Sequence, residues 1–161
     1  MRICAPLFVF LVGLFCSSQA AAVANSSEAQ ALALIQQAQT YFKKHGQESA
    51  FAEFNRLDSP FNSQSDINPN GDLYLYTLDY KGYQAVHGKN PKIRGKVMMD
   101  MRDSEGVPLI QLMVAKCKSS AGKGWVTYKW PHPISKEVEP KKGYVERIAG
   151  TKVCLGTGVY Q

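Results

Sequence analysis

Asp72-Leu73-Tyr74-Leu75-Tyr76-Thr77-Leu78 is the stretch at which the period of the chain changes to two. In an extended segment Leu73, Leu75 and Thr77 fall on one side, and Tyr74, Tyr76 and Leu78 on the other. One face is therefore plain aliphatic core and the other is phenolic. Asp79-Tyr80-Lys81-Gly82 supplies a hairpin turn into a second strand, Tyr83 to His87. Three more strands are expected at hairpin spacing: Trp125 to Trp130, Lys141 to Ala149 and Thr151 to Tyr160. In the first of these Val126, Tyr128 and Trp130 share a face, opposite Trp125, Thr127 and Lys129.

Upstream of the sheet, Ser26 or Ser27 can cap a helix whose apolar positions Leu32, Ile35, Ala38, Tyr41 and Phe42 recur at three and four residues and which ends at Lys43 to Gly46. Gln47 to Arg56 reads as a second, shorter helix with Phe51 and Phe54 on one side. Residues 57–71 are rich in turn formers, and a loop of that length is a candidate for covering something. Between the second and third strands the spacing predicts a loop over 88–95, a short helical piece over Val97 to Arg102, and a helix from Pro108 through Leu109, Leu112 and Met113 to Cys117. The fold class is α+β: an antiparallel sheet of about five strands, a long helix in front, and helices inserted between strands 2 and 3.

With 161 residues, 45% hydrophobic and 20% charged, the chain is neither disordered nor fibrous and suits one folded domain. Residues 1–24 carry the marks of a signal peptide: Arg2, an apolar core to Phe15, and small residues at Ser17, Ser18, Ala20, Ala22 and Ala24. The apolar run, Ala5 to Phe15, falls short of the ~20 residues of a spanning helix, and no later segment reaches that length. Phe15 before Cys16 argues against lipid attachment. The expectation is a domain over 25–161, periplasmic or secreted, without membrane insertion of the mature chain.

The net charge of +6 is spread thinly, with no basic run beyond two residues, which excludes a nucleic-acid stripe and leaves a mild attraction for small anions. His45, His87 and His132 offer no pair at metal-ligand spacing, and no nucleophile with an adjacent base and no phosphate loop is recognisable. No catalytic residue, metal or cofactor is expected. Loss of Cys4 and Cys16 with the signal leaves Cys117 and Cys154, which the sequence allows either as a disulfide or as a buried free pair.

Gly71 to Tyr76, His87, Asn90-Pro91, Gly95-Lys96, Asp103 to Gly106, Gly124 to Pro131, Glu139-Pro140-Lys141, Tyr144-Val145 and Gly156 to Tyr160 occur in the order found in single Cache domains. The chain resembles that family of extracytoplasmic sensor modules over roughly residues 30–160, as a free-standing, exported member. The resemblance implies a PAS-like sheet with a long amino-terminal helix on one face and a pocket on the other, typically for a short-chain carboxylate. It implies that Lys141 is the cationic partner of the carboxylate, Tyr144 a hydroxyl donor, and His87 a neighbour of the ligand. Tyr74, Tyr76, Tyr128 and Trp130 are expected as pocket wall, since aromatics with polar edges on one strand face can exclude water and still donate. Lys141 stands three residues before Tyr144, so the two point to opposite faces unless Gly143 introduces a bulge. The implied partners are a small organic acid and a membrane histidine kinase or chemoreceptor; the alternative is an interaction module of the same fold that binds no ligand.

Overall fold

A computed structural model describes residues 25–161, so the expected signal peptide lies outside the described residues. The chain opens with α1 (Glu28–Asn55). Ser27 caps it in a reciprocal box, its Oγ accepting from the Gln30 N–H at 3.2 Å while Gln30 Oε1 accepts from the Ser27 N–H at 2.8 Å. Gly46 interrupts the helix with φ 77° and ψ 169°, a conformation open to glycine, so the chain kinks there between the two helices expected on either side. The deepest residues are Ala31, Leu34, Ile35, Ala38, Ala50 and Phe54, while Leu32, Tyr41, Phe42 and Phe51 flank them.

The other elements are β1 (Tyr76–Asp79), β2 (Tyr83–Gln84), β3 (Lys96–Val97), α2 (Leu109–Lys118), β4 (Lys123–Pro131), β5 (Val138–Arg147) and β6 (Val153–Tyr160), with one turn of 3₁₀ helix at Pro91–Ile93. Four strands form an antiparallel sheet in the order β1-β6-β5-β4. Leu73, Leu75, Tyr144, Leu155 and Val159 meet α1 on one face. Tyr74, Tyr76, Leu78, Val126, Tyr128, Val145 and Cys154 meet α2 on the other. The alternation read from residues 73–78 is thus the division between two cores.

Three expectations change. The strand of Tyr83 to His87 is not a full fifth member of the sheet: Tyr83 and Gln84 pair with Val97 and Lys96 in a separate ribbon, and only His87 bridges back to Tyr76. The Asp79 carboxylate accounts for the turn, since its Oδ1 accepts from both the Lys81 and Tyr83 N–H groups. The helical piece expected over Val97 to Arg102 is replaced by β3 and an irregular segment, because Lys96 and Val97 are held in that ribbon. Finally, the ladder starts at Tyr76 rather than Leu73. The backbone of Leu73 is bound at both ends by the Asn68 amide side chain, and the Leu75 N–H by Asn62 Oδ1 at 3.0 Å.

Asn62 also explains the long loop. It is fully buried, and its Nδ2 donates to the carbonyls of Phe54 and Arg56 at 2.8 Å each, while Phe61 packs edge-on against Phe54. Residues 57–71 therefore plug the end of the α1 core.

On the opposite side a disulfide joins Cys117 of α2 to Cys154 of β6, with Cα atoms 6.1 Å apart. It ties α2 to a central strand across a sequence separation of 37 residues. Thiol counting of the denatured, unreduced protein is expected to find no free thiol in the 25–161 segment, and Cys117→Ser to lower unfolding stability by about 3 kcal/mol or somewhat more.

Candidate functional site

The α2 face of the sheet has a floor without side chains. Gly143 on β5 and Gly156 and Gly158 on β6 all fall on this face, where Gly143 pairs with Gly158. A Cβ at Gly143 would stand 2.6 Å from Tyr128 Cε1, one at Gly158 2.6 Å from the Lys142 carbonyl oxygen and 2.8 Å from Lys141 Cε, and one at Gly156 2.2 Å from Tyr76 Cε2. Tyr76, Tyr128 and the Lys141 stem therefore lie flat against bare backbone.

Lys141 is fully buried. Its Nζ donates to the Tyr160 hydroxyl at 3.3 Å and sits 3.9 Å from the centre of the Tyr74 ring and 4.6 Å from that of Tyr160. Among the described residues it has no salt-bridge partner. Asp72 is the carboxylate that favours its charge, but that group is held by the backbone N–H and hydroxyl of Ser26. Burial drives the lysine well below the ordinary ammonium range, against the weaker pull of Asp72.

His87 packs 5.0 Å from Tyr74, ring centre to ring centre. Its Nδ1 accepts from the N–H groups of Lys89 at 3.3 Å and Asn90 at 2.9 Å, which places the proton of the neutral ring on Nε2. Burial, then the charges of Lys141 and Arg94, lower its pKa to about 3. The phenols of Tyr74, Tyr76 and Tyr128 are all raised, first of all by burial, so each stays a neutral hydroxyl.

These residues surround two spaces that share part of their walls. An inner cavity of about 20 Å³ is lined by Tyr74, Tyr76, His87, Tyr128 and Trp130, closed at its far end by Gln84, Met101, Leu109, Ile110 and Met113. A hollow of about 200 Å³ lies outside it and shares Tyr74, His87 and Trp130. Lys141 lies under the Tyr74 ring rather than in the wall of either space.

Of the seven residues expected at a site, six share this face. Tyr144 does not. β5 runs in unbroken register through Gly143, so no bulge turns Tyr144 around. It faces α1 instead, its ring tilted by 50° against Trp125 at 4.9 Å, centre to centre, with its hydroxyl donating to Glu146 Oε2 at 2.6 Å. The Tyr76 hydroxyl is also committed elsewhere, lying 3.3 Å from the carbonyls of Tyr144 and Thr157, so Tyr76 offers the cavity its ring. Sequence reading missed Tyr160, which holds Lys141 and donates to the Pro131 carbonyl at 2.8 Å. The period of two through Cys154, Gly156, Gly158 and Tyr160 was the available signal. Of the far wall, Leu109, Ile110 and Met113 lie on the expected helix, whereas Met101 lies in the segment wrongly expected to be helical and Gln84 in the strand whose partner was misplaced. Among the described residues no helix is long and apolar enough to cross a membrane, and no group of three or more His, Cys, Asp or Glu could hold a metal ion.

The antiparallel sheet, with α1 on one face and an aromatic, lysine-bearing surface on the other, has the PAS-like layout of Cache domains. The model of the family described as Single Cache domain 2 matches residues 24–161, and the chain belongs to that family of extracytoplasmic, ligand-binding signalling modules. It is similar to the sensor histidine kinase MctS of Rhizobium johnstonii, 32% identical over 89 residues that make up 55% of this chain and 19% of the kinase. It is also similar to the methyl-accepting chemotaxis protein McpP of Pseudomonas putida, 29% identical over 55% of this chain and 16% of that protein. The matched segment thus spans less than a fifth of these curated relatives. Among solved structures, a methyl-accepting chemotaxis protein from Vibrio parahaemolyticus shares the fold with TM-score 0.64 and 22% identity, covering 82% of this chain and 86% of that one. A Cache chemosensory domain, described under the words "Structural basis for carboxylic acid recognition", aligns with TM-score 0.63 and 26% identity over 82% of this chain and 91% of its own.

The His87 pKa gives a pH test. The folded protein holds this ring neutral down to about pH 3, whereas the unfolded chain takes up a proton near the ordinary value of 6.5. Stability contributed by neutral His87 is therefore full above pH 6.5 and is lost progressively as pH falls toward 3. Denaturant melts between pH 7 and 4 are expected to show this slope and His87→Gln to flatten it; an unchanged slope in the variant would mean that other groups carry it.

Proposed function

We propose that this domain binds a short-chain carboxylate, of the size of acetate, propionate, pyruvate or lactate, and passes the occupancy of the site to a separate membrane histidine kinase or chemoreceptor from a periplasmic or secreted position. The observation that carries the reading is Lys141, a fully buried amine with no anionic partner among the described residues. A buried charge is stable only when paired, and a ligand carboxylate is a partner that a binding event can supply. Neutral donors beside it, the Tyr74 hydroxyl and the His87 Nε2–H, suit the remaining oxygen lone pairs, while the Tyr160 hydroxyl, whose proton goes to the Pro131 carbonyl, holds the amine in place. The inner cavity has room for little more than a water molecule. The ligand is accordingly small, and its entry turns the Tyr74 ring off Lys141. The kinase and chemoreceptor relatives, and the neighbour described by carboxylic acid recognition, support the same reading.

The experiment is a thermal-shift screen of organic acids followed by calorimetric titration of the best one. A ligand at a hundred times its dissociation constant adds about 2.7 kcal/mol of stability. Lys141→Met is expected to weaken binding by about 10-fold to 150-fold, the worth of one charge-assisted hydrogen bond. The same variant raises the melting temperature of the unliganded protein, because an unpaired buried amine has been replaced by an apolar side chain. Lys142→Met is the control, since that side chain lies on the α1 face, paired with Glu28 and set against Trp125, and it should lose little affinity. Equal affinity in wild type and Lys141→Met would reject the anchor. A screen in which no acid shifts the melting temperature would favour the interaction module without a ligand.

A further inference from the structure

The outer hollow has a chemistry of its own. His132 follows the end of β4, and its Nδ1 accepts from the N–H groups of Ile134 and Ser135 at 3.2 Å each. An accepting ring nitrogen carries no proton, so the neutral ring presents Nε2–H. That Nε2 is buried, in a residue only 7% exposed, and has no hydrogen-bond partner. His87 repeats the arrangement on the facing loop, where Lys89 and Asn90 occupy its Nδ1. Two imidazoles, fixed in the same tautomer by the loops that follow them, therefore line one space of about 200 Å³.

Lys89 and Lys136 line it as well, and no carboxylate does among the described residues. Burial and the nearby charge of Lys136 lower the Lys89 pKa, so the two ammoniums are held close enough to oppose each other. Lys136 has a φ of 68°, the left-handed region, and is alone among the described non-glycine residues in this. Its Nζ donates to the Pro133 carbonyl. Glu139, the carboxylate of the same hairpin that senses Tyr160, is turned to the Ser135 hydroxyl at 2.7 Å.

We propose that this hollow is a second anion site, distinct from the one at Lys141, in which the His132 Nε2–H binds an oxygen of a carboxylate or small inorganic oxyanion and Lys89 and Lys136 supply the balancing charge. A water molecule would satisfy the imidazole alone, whereas an anion would also draw on the two ammoniums at the rim, Lys89 half-buried and Lys136 exposed. The site takes either a free ion or the second carboxylate of a ligand whose first carboxylate lies at Lys141. Tyr74, His87 and Trp130 belong to both spaces, so an occupant of either touches side chains that wall the other.

The test uses inorganic phosphate and, separately, succinate as probes, followed by the amide resonances of Ile134 and Ser135 and the imidazole resonances of His132. Phosphate is expected to give saturable shifts, which the double variant Lys89→Met, Lys136→Met weakens by about tenfold or more while Lys141→Met leaves them within about twofold. Succinate is expected to respond to the double variant too. Sensitivity of succinate to Lys141→Met as well would identify its second carboxylate as the occupant, and insensitivity would identify a free anion. Absence of saturation by ~50 mM phosphate, an affinity too weak for a built site, would overturn the proposal. Phosphate binding that is lost in Lys141→Met but kept in the double variant would overturn it as well. The phosphate arm does not depend on the carboxylate reading at Lys141, so either can fail alone. His132→Phe, which keeps a ring against Tyr160 but removes the donor, should reproduce the loss if it folds; the lysine variants leave the Nδ1 contacts of the hairpin intact.

Discussion

A primary amine buried in a sheet must be accommodated by everything around it. Lys141 leaves β5 toward the α2 face, its stem lying over Gly158 and its head between the rings of Tyr74 and Tyr160. Aromatic faces and one hydroxyl soften the loss of hydration without replacing it. The surrounding design follows from that need. Asp72 contributes a distant negative charge but is occupied by Ser26, and the neighbouring histidine is held neutral. The folded state thus leaves one favourable interaction of this amine unmade.

The sheet separates this polar arrangement from the part of the molecule that supplies ordinary stability. On the α1 face the contacts are aliphatic and aromatic, sealed by the buried Asn62 and Asn68 side chains that stand in for strand partners of Leu75 and Leu73. On the other face α2 is fixed to β6 by the disulfide, so the wall that carries Leu109, Ile110 and Met113 is anchored to the strand that carries two of the three floor glycines. The cavity lies between two elements that cannot easily part, which leaves the Tyr74 ring and the loops bearing His87 and His132 as the adjustable side.

Much of this was legible because a strand has a period of two. The grouping of Tyr74 with Tyr76 and of Tyr128 with Trp130 needed only that rule, the family resemblance brought Lys141 to the same site, and the rule warned that Tyr144 would point away from Lys141. What the sequence hid was decided by side chains acting in place of backbone. Asn62 and Asn68 remove Leu73 and Leu75 from the ladder, and Asp79 turns the chain so that Tyr83 and Gln84 join a ribbon with Lys96 and Val97. No periodicity records such local competition. The histidine tautomers were equally out of reach, since each depends on two amides a few residues downstream adopting a tight turn.

The glycine floor makes the depth of the site a matter of absent atoms. Every coding change of a single base in a glycine codon that alters the residue introduces at least a Cβ, and at 143, 156 or 158 that carbon would meet Tyr128, Tyr76 or Lys141 respectively. Substitution at these positions can therefore only raise the floor, each from beneath a different side chain. The walls can drift in either direction, toward larger or smaller residues, but the floor already stands at its lower limit. A lineage of such proteins could change ligand by exchanging wall residues, whereas a change on the floor would act as a one-way narrowing.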